Sequence, residues 1–127
     1  MGVAAIGVDI IETERIRQAI ARWGDHFLFR IFTPAEVTYC LEKEQAHYSF
    51  AARFAVKEAV IKAIGTGLTS NLRGTSIEIV NDRKGKAEVR LGERVKEVIG
   101  NKKILISMSH THQYAVGEAI MLDEEDK

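Results

Sequence analysis

The spacing of apolar residues predicts a strand at the start of the chain, helices through the first half and strands in the second half. The apolar run at 3–11 predicts a buried strand that contains one acid, Asp9. Residues 13–23 carry apolar side chains on one helical face, and Thr13 is expected to cap that helix. The apolar residues over 27–32 show no clear period, so we expect an irregular stretch there.

Two more helices are predicted before residue 65. The segment Thr33-Pro34-Ala35-Glu36 offers a capping hydroxyl, a proline for the first turn and an acid near the positive end of the dipole. The helix that it starts is expected to end near Leu41, and a polar link follows at 42–45. The longest helix is expected over roughly 46–64, with Gly65 as its C-cap.

From about residue 75 the pattern changes to the two-residue period of strands. Alternation on both sides of the turn 81–86 predicts a hairpin with strands at 76–80 and 87–91. A short helix at 93–99 and a strand pair at 104–109 and 114–122, joined by 110–113, complete the chain. The predicted fold class is α+β, with an antiparallel sheet packed against a long central helix.

Composition narrows the class of protein. The 127 residues fit a single domain over 1–127, and 46% hydrophobic with 28% charged residues is typical of soluble globular proteins. The acidic tail at 123–127 is expected to fray. A formal net charge of zero gives no general attraction for nucleic acid. A lone cysteine, Cys40, and a start without signal-peptide or membrane-span character favour a cytoplasmic protein without membrane attachment.

Glu58 and Lys62 are the first candidates for chemistry. They lie one turn apart on the longest predicted helix, beside a stripe of alanines at positions 51, 55 and 59 and opposite its broad apolar arc. An ordinary Glu–Lys pair on a solvated face explains them, and contributes only about 0.2–0.5 kcal/mol. A site is the alternative, because small side chains let a bulky ligand approach the backbone.

Asp9 is the second candidate, because an unpaired carboxylate in an apolar strand is costly. One interpretation is that Asp9 pairs locally at a strand end. The other is that it shares a cation with another acid, and Asp and Glu oxygens suit Mg²⁺. Gly65-Thr66-Gly67 exposes backbone N–H groups that suit phosphate, but its place after a helix makes a simple C-cap the stronger interpretation.

The remaining polar clusters have plain structural explanations beside functional ones. His110 and His112 share a strand exit with hydroxyl side chains, where a polar turn is favoured over a zinc site or a Ser-His-Asp triad. Cys40 is expected in the core. Arg15, Gln18 and Arg22 form a row on the first helix, which is either a solvated face or a docking surface for an acidic partner.

Three blocks in order along the chain resemble the holo-acyl-carrier-protein synthases, a branch of the phosphopantetheinyl transferases. They are IGVDIIETERI at 6–16, FAARFAVKEAVIKAIGTG at 50–67 and ISMSHTHQYAVG at 106–117, and RIFTPAE at 30–36 and NDRKGK at 81–86 also fit. The resemblance implies Mg²⁺-dependent transfer of phosphopantetheine from coenzyme A to a serine of apo acyl carrier protein, releasing adenosine 3',5'-bisphosphate. It also implies a homotrimer with active sites between subunits, and a place in fatty acid biosynthesis.

The resemblance assigns roles to residues. Asp9 and Glu58 match the metal-binding acids, and Glu58 and Lys62 match the catalytic pair. The expected coenzyme A contacts are Arg53, Lys62, Gly65, Lys84 and His110. Arg15 matches an arginine on the helix that faces the carrier protein, and we expect the other members of its row, Gln18 and Arg22, to face it too. The alanine stripe would leave room for the pyrophosphate.

Two departures from the family pattern bear on these expectations. Ala87 stands where proline is common and is expected to loosen the start of the hairpin, while Glu118 in the last strand makes trimer assembly the weakest inference. The rival hypotheses are a metal-dependent phosphohydrolase that uses Asp9 and Glu58 with water, and a non-enzymatic module that binds acyl carrier protein through the arginine row. The sequence does not decide the preferred carrier protein, the use of acylated coenzyme A, the oligomer, or whether Glu58 is also a base.

Overall fold

The computed structural model describes residues 2–65 and 74–123. Within these residues a long strand comes first, four α-helices follow, and two strand pairs flank a fifth α-helix. In chain order the elements are β1 (Val3–Glu12), α1 (Thr13–Trp23), α2 (Asp25–Ile31), α3 (Pro34–Leu41), α4 (Ala46–Ile64), β2 (Ile77–Asn81), β3 (Ala87–Leu91), α5 (Glu93–Ile99), β4 (Lys103–His110) and β5 (Tyr114–Leu122). The predicted α+β class and its antiparallel pairing are confirmed.

The strands form two antiparallel sheets. β5 lies between β1 and β4 in a three-stranded sheet, and β2 pairs with β3 in the predicted hairpin. The register places Gly117 of β5 opposite Asp9 of β1. Ala87 pairs with Asn81 at the turn end of the hairpin, so the loosening expected at Ala87 is not seen.

Helix α4 lies against the three-stranded sheet at very short range. A Cβ atom added to Gly7 would lie 2.0 Å from the Ala59 carbonyl oxygen, and one added to Gly117 would lie 2.3 Å from the Val56 backbone nitrogen. The alanine stripe is fully buried at this contact. The expectation that it leaves room for a pyrophosphate is therefore wrong: the small side chains admit the sheet, and ligands have no access to that face.

Three local predictions are wrong near the start of the chain. The strand β1, expected to be buried, exposes one whole face. The stretch expected to be irregular is the short helix α2, which begins after Gly24 at φ +55° and has its first backbone bonds to the Gly24 carbonyl. Thr13 does not cap α1 with its side chain. It is the first helical residue, it is buried, and its hydroxyl donates to the His112 carbonyl oxygen in the β4–β5 turn.

The outer face of the three-stranded sheet is apolar and exposed. Along β1 the outward side chains are Ile6, Val8 and Ile10, with 70%, 58% and 62% of their surface accessible. Glu118 lies on the same face, between Val8 of β1 and Ser107 of β4. In the part of the chain that the structure describes, no helix is both long and apolar enough to cross a bilayer.

Candidate active site

The fold brings Asp9, Glu58 and Lys62 together at the junction of β1 and α4. Lys62 Nζ lies 3.1 Å from Asp9 Oδ1 and 3.1 Å from the Val8 carbonyl oxygen. The helix partner Glu58 is not the residue that Lys62 pairs with, so the solvated i,i+4 pair is the wrong interpretation. Asp9 and Glu58 instead line one cavity of about 390 Å³, together with Arg15.

We call this space the carboxylate cavity. Its remaining walls are apolar: Ile10, Ile11, Ile16, Phe27 and Phe54. Partial burial raises the pKa of Glu58 above its ordinary value, the negative charge of Asp9 raises it further, and the Lys62 ammonium opposes both. Burial and the neighbouring acid thus both disfavour the ionised form of Glu58.

The donor set fits a hard divalent cation. Two nearby carboxylates supply oxygen ligands, and a cation between them relieves the repulsion that raises the pKa of Glu58. Among residues 2–65 and 74–123, no group of three or more His, Cys, Asp or Glu side chains is arranged for a metal ion. Two carboxylates would leave the other positions of an Mg²⁺ coordination shell to water and ligand oxygens.

A second cavity of about 480 Å³ lies between the start of α4 and the end of β4. We call it the arginine cavity, because Arg53 forms part of its wall beside Tyr39, Lys43 and His110. Arg53 is 3% exposed. It donates to Asn81 Oδ1 at 2.6 Å and to Ser49 Oγ at 3.3 Å, and its guanidinium lies 4.2 Å from the centre of the Tyr39 ring.

Arg53 is a buried cation without a carboxylate partner. It takes part in none of the ion pairs between described residues, and its Nε finds no acceptor among them. An uncompensated buried charge is costly, and an anion in the cavity would offset that cost. Lys43 Nζ lies 4.5 Å from the centre of the Tyr39 ring, and both Lys43 and Glu44 line the same cavity.

His110 and His112 both contact Tyr48 at the rim of the arginine cavity. The Tyr48 ring is nearly parallel to each imidazole, with centroids 5.3 Å from His110 and 5.6 Å from His112. The two histidines thus belong to an aromatic stack, and this explains their spacing better than a polar turn alone. Cys40 is buried as predicted, accepts from Ser49 Oγ at 3.2 Å, and has a pKa raised by burial.

Among residues 2–65 and 74–123, the two cavities have no lining residue in common. Arg53 and Glu58 are five positions apart on α4, which turns their side chains about 140° from one another. The helix therefore presents the predicted phosphate-binding arginine and the predicted metal ligand on different sides.

The predicted docking row lies on the exposed surface of α1. Arg15, Gln18 and Arg22 are all exposed, and Arg15 also lines the carboxylate cavity. Arg22 lies over the ring of Trp23, 4.8 Å from its centre, and Trp23 is itself 54% exposed. An apolar ring beside a row of cations is a surface suited to a partner that is both acidic and partly apolar.

The glycine-rich exit and the hairpin turn are described in part. Gly65 ends α4 at φ +78°, and its N–H bonds to the Ile61 carbonyl, so its C-cap role is confirmed. Thr66 and Gly67 lie outside the described residues. Lys84 is exposed in the β2–β3 turn, where its backbone N–H bonds to Asp82 Oδ1.

A buried ion pair next to Glu58 escaped the sequence analysis. Lys57 and Glu36 are 2% and 1% exposed, and Lys57 Nζ lies 2.6 Å from Glu36 Oε1. Burial lowers the pKa of Lys57, and the Glu36 carboxylate opposes that shift. The available signal was the lysine itself, because an ammonium inside such an apolar helix needs a buried acceptor.

The sequence matches the family described as the 4'-phosphopantetheinyl transferase superfamily over residues 5–117. The chain belongs to this superfamily. The holo-[acyl-carrier-protein] synthase of Chlamydia pneumoniae is 49% identical over 96% of this chain and 99% of its own. That of Protochlamydia amoebophila is 44% identical over 91% and 94% of the two chains.

Solved structures of superfamily members have the same fold. The holo-[acyl-carrier-protein] synthase of Neisseria meningitidis aligns with a TM-score of 0.85 at 30% identity, covering 95% of this chain and 99% of that one. The Helicobacter pylori enzyme in complex with coenzyme A aligns with a TM-score of 0.82 at 28% identity, covering 91% of this chain and 98% of that one.

Proposed function

We propose that this protein is a holo-acyl-carrier-protein synthase. It moves the phosphopantetheine group of coenzyme A to a serine hydroxyl of apo acyl carrier protein and releases adenosine 3',5'-bisphosphate. The observation that carries the proposal is the carboxylate cavity. Asp9 and Glu58 line it together, Lys62 is bonded to Asp9, and the superfamily match includes all three residues.

We propose Asp9 and Glu58 as ligands of Mg²⁺, which when bound neutralises charge that develops on the pyrophosphate oxygens. Lys62 then turns from Asp9 to the leaving phosphate, a change that its 55% exposed side chain permits. In the transfer, the serine oxygen bonds to the phosphorus that carries pantetheine, and the bond from that phosphorus to the adenosine bisphosphate oxygen breaks. Glu58, directly or through water, takes the serine proton.

The arginine cavity is the proposed site for the nucleotide phosphate of coenzyme A. Its support is the buried charge of Arg53, which forms no ion pair with any described residue. His110 lines the same space, and Gly65 and Lys84 are the further contacts that the family pattern suggests. Electrostatic positioning of the phosphates supplies most of the catalysis in this proposal.

We propose a homotrimer whose active sites lie between subunits. Two observations support it. The arginine and carboxylate cavities share no described lining residue within one copy, and a trimer with sites between subunits would bring the arginine cavity of one copy to the carboxylate cavity of another. The outer face of the three-stranded sheet also exposes a row of large apolar side chains, which a neighbouring copy would bury.

The exposed row of Arg15, Gln18 and Arg22 is the proposed docking surface for the carrier protein. Arg15 supports this assignment because it reaches from that row into the wall of the carboxylate cavity. A carrier bound on α1 would present its serine next to Glu58. We also propose a cytoplasmic enzyme that supplies holo carrier protein for fatty acid biosynthesis; its lone, unpaired Cys40 suits that reducing compartment.

The test is the intact mass of an apo acyl carrier protein incubated with this protein, coenzyme A and Mg²⁺. We expect a gain of one phosphopantetheine that is lost with EDTA and with Glu58→Gln. Coenzyme A breakdown without a carrier would favour the phosphohydrolase instead. Carrier binding that is abolished by Arg15→Glu but unaffected by Asp9→Ala, with no mass gain, would favour the non-enzymatic binding module.

A further inference from the structure

The orientation of Arg53 depends on a side chain from the distant hairpin. Asn81 is the last residue of β2, and its Oδ1 accepts from Arg53 Nη2 at 2.6 Å. This is the shorter of the two hydrogen bonds between the guanidinium and described side chains; the other, to Ser49 Oγ, is 3.3 Å. Asn81 thus fixes the position of Nη2, and with it the orientation of the guanidinium in the wall of the arginine cavity.

The same amide also holds the hairpin turn. Asn81 Nδ2 donates to the Gly85 carbonyl oxygen at 3.0 Å, and Gly85 has φ +86°, a conformation that favours glycine. One side chain therefore bonds Arg53 through its oxygen and the turn through its nitrogen. Lys84 lies in this turn. The Asn81 amide therefore couples the position of Lys84 to the orientation of Arg53.

The hairpin is anchored to α4 independently of Asn81. Glu36 Oε2 accepts from the Ile79 N–H at 2.9 Å, and Glu36 Oε1 accepts from Lys57 Nζ at 2.6 Å. Glu36 and Lys57 are both buried, so this link from β2 to α4 is shielded from water. It fixes β2 two residues before Asn81, and it makes the Asn81 amide an acceptor with a defined position beside Arg53.

The neutrality of Asn81 matters as much as its geometry. An aspartate there would offer Arg53 the same acceptor, but it would also neutralise the charge that the cavity presents to an anion. A neutral amide orients the guanidinium without placing a negative charge against it. Ser49 and Tyr39, the other contacts of Arg53, are neutral as well.

We propose that Asn81 is a positioning residue for anion binding at the arginine cavity. It orients the Arg53 guanidinium, couples it to the hairpin turn and preserves its charge. This inference rests on the proposed function, in which the anion is the nucleotide phosphate of coenzyme A.

Calorimetric titration of the full chain with adenosine 3',5'-bisphosphate, together with the KM for coenzyme A and kcat, tests the proposal. We expect Asn81→Ala to weaken nucleotide affinity and raise KM about tenfold, with kcat changed far less. Asn81→Asp should weaken nucleotide affinity by a similar factor, because the new carboxylate neutralises Arg53. Its ion pair with Arg53 should keep the thermal stability at or above that of Asn81→Ala. A residue with a purely structural role would not separate affinity from stability in this way.

Two further variants locate the effect. In an Arg53→Ala background, Asn81→Ala should cause no additional loss of affinity, because the residue acts through Arg53. Asp82→Ala removes the turn carboxylate that accepts from the Lys84 and Lys86 N–H groups without touching Arg53, and should weaken affinity less than Asn81→Ala.

Three outcomes would overturn the proposal: Asn81→Ala affinity within about twofold of wild type, additive loss in the Arg53→Ala background, or an equal loss in Asp82→Ala. Wild-type protein that binds the nucleotide but transfers nothing to a carrier would overturn the proposed function alone. Wild-type protein without measurable nucleotide affinity would overturn both.

Discussion

Lys62 Nζ donates to Asp9 Oδ1 at 3.1 Å, across 53 positions of sequence and from helix α4 to strand β1. This bond ties the ammonium to one of the two carboxylates of the cavity. We expect Lys62→Met to lower kcat by about 10²–10³-fold, because a positive charge near the leaving phosphate is lost. The KM for the carrier protein should change little. Steady-state kinetics with both substrates varied provides the measurement.

Lys96→Met is the matched control for Lys62. Lys96 is a similarly exposed lysine that pairs with an acid on α5, outside both cavities. It should retain the wild-type rate. A normal kcat in Lys62→Met would remove Lys62 from the mechanism.

The pKa of Glu58 predicts an unusual pH dependence of stability in metal-free protein. Because this pKa is raised above 4.5 in the folded state, the folded protein keeps the proton to a higher pH than the unfolded chain. Ionisation therefore removes stability as pH rises through the folded pKa. Glu58→Gln lacks this loss, so its free energy of unfolding should exceed that of wild type at pH 7.5 and approach it below about pH 4.

Urea unfolding in EDTA across this pH range measures the difference. Added Mg²⁺ should stabilise wild type at pH 7.5 and have little effect on Glu58→Gln. If Glu58→Gln were less stable than wild type at pH 7.5, burial and the charge of Asp9 would not be what sets the pKa of Glu58.

Gly117 is expected to tolerate no side chain. A Cβ there would lie 2.3 Å from the Val56 backbone nitrogen, so α4 and β5 would have to separate. We expect Gly117→Ala to lower the free energy of unfolding by about 1–3 kcal/mol or more. Gly2→Ala is the control, since its nearest neighbour is the Asp123 side chain at 3.3 Å, which can move. Equal stability of the two variants in urea would contradict the close packing.

The apolar outer face of the sheet predicts a charge-sensitive assembly. Val8 is 58% exposed and pairs with Glu118, so Val8→Glu adds a second acid to a surface that a neighbouring copy is proposed to bury. We expect sedimentation to show trimers of wild type and monomers of this variant, with loss of transfer activity.

Val98→Glu on α5 makes the same change at an exposed apolar residue off the sheet, and it should remain trimeric and active. Trimers of Val8→Glu with normal activity would exclude this face as the interface. A monomeric wild-type enzyme with full activity would exclude the shared active site as well.

Most elements of the fold were predictable because their signals are local. The capping box at Thr33 and Glu36, the glycine after α4 and the alternation in the hairpin each depend on residues a few positions apart. The helix α2 was missed because it is too short to show a period, and because Gly24 ends one helix and begins the next.

By itself, the sequence determined most of the elements, the α+β class and the candidate residues, since periodicity and capping act along the chain. Only the tertiary structure decided which candidates meet. It brought Asp9 to Glu58 and gave Arg53 its partner Asn81, but it turned the alanine stripe into a helix–sheet contact. The physical reason is that an apolar or polar pattern shows that a side chain needs a partner, whereas packing between distant segments decides which partner it has.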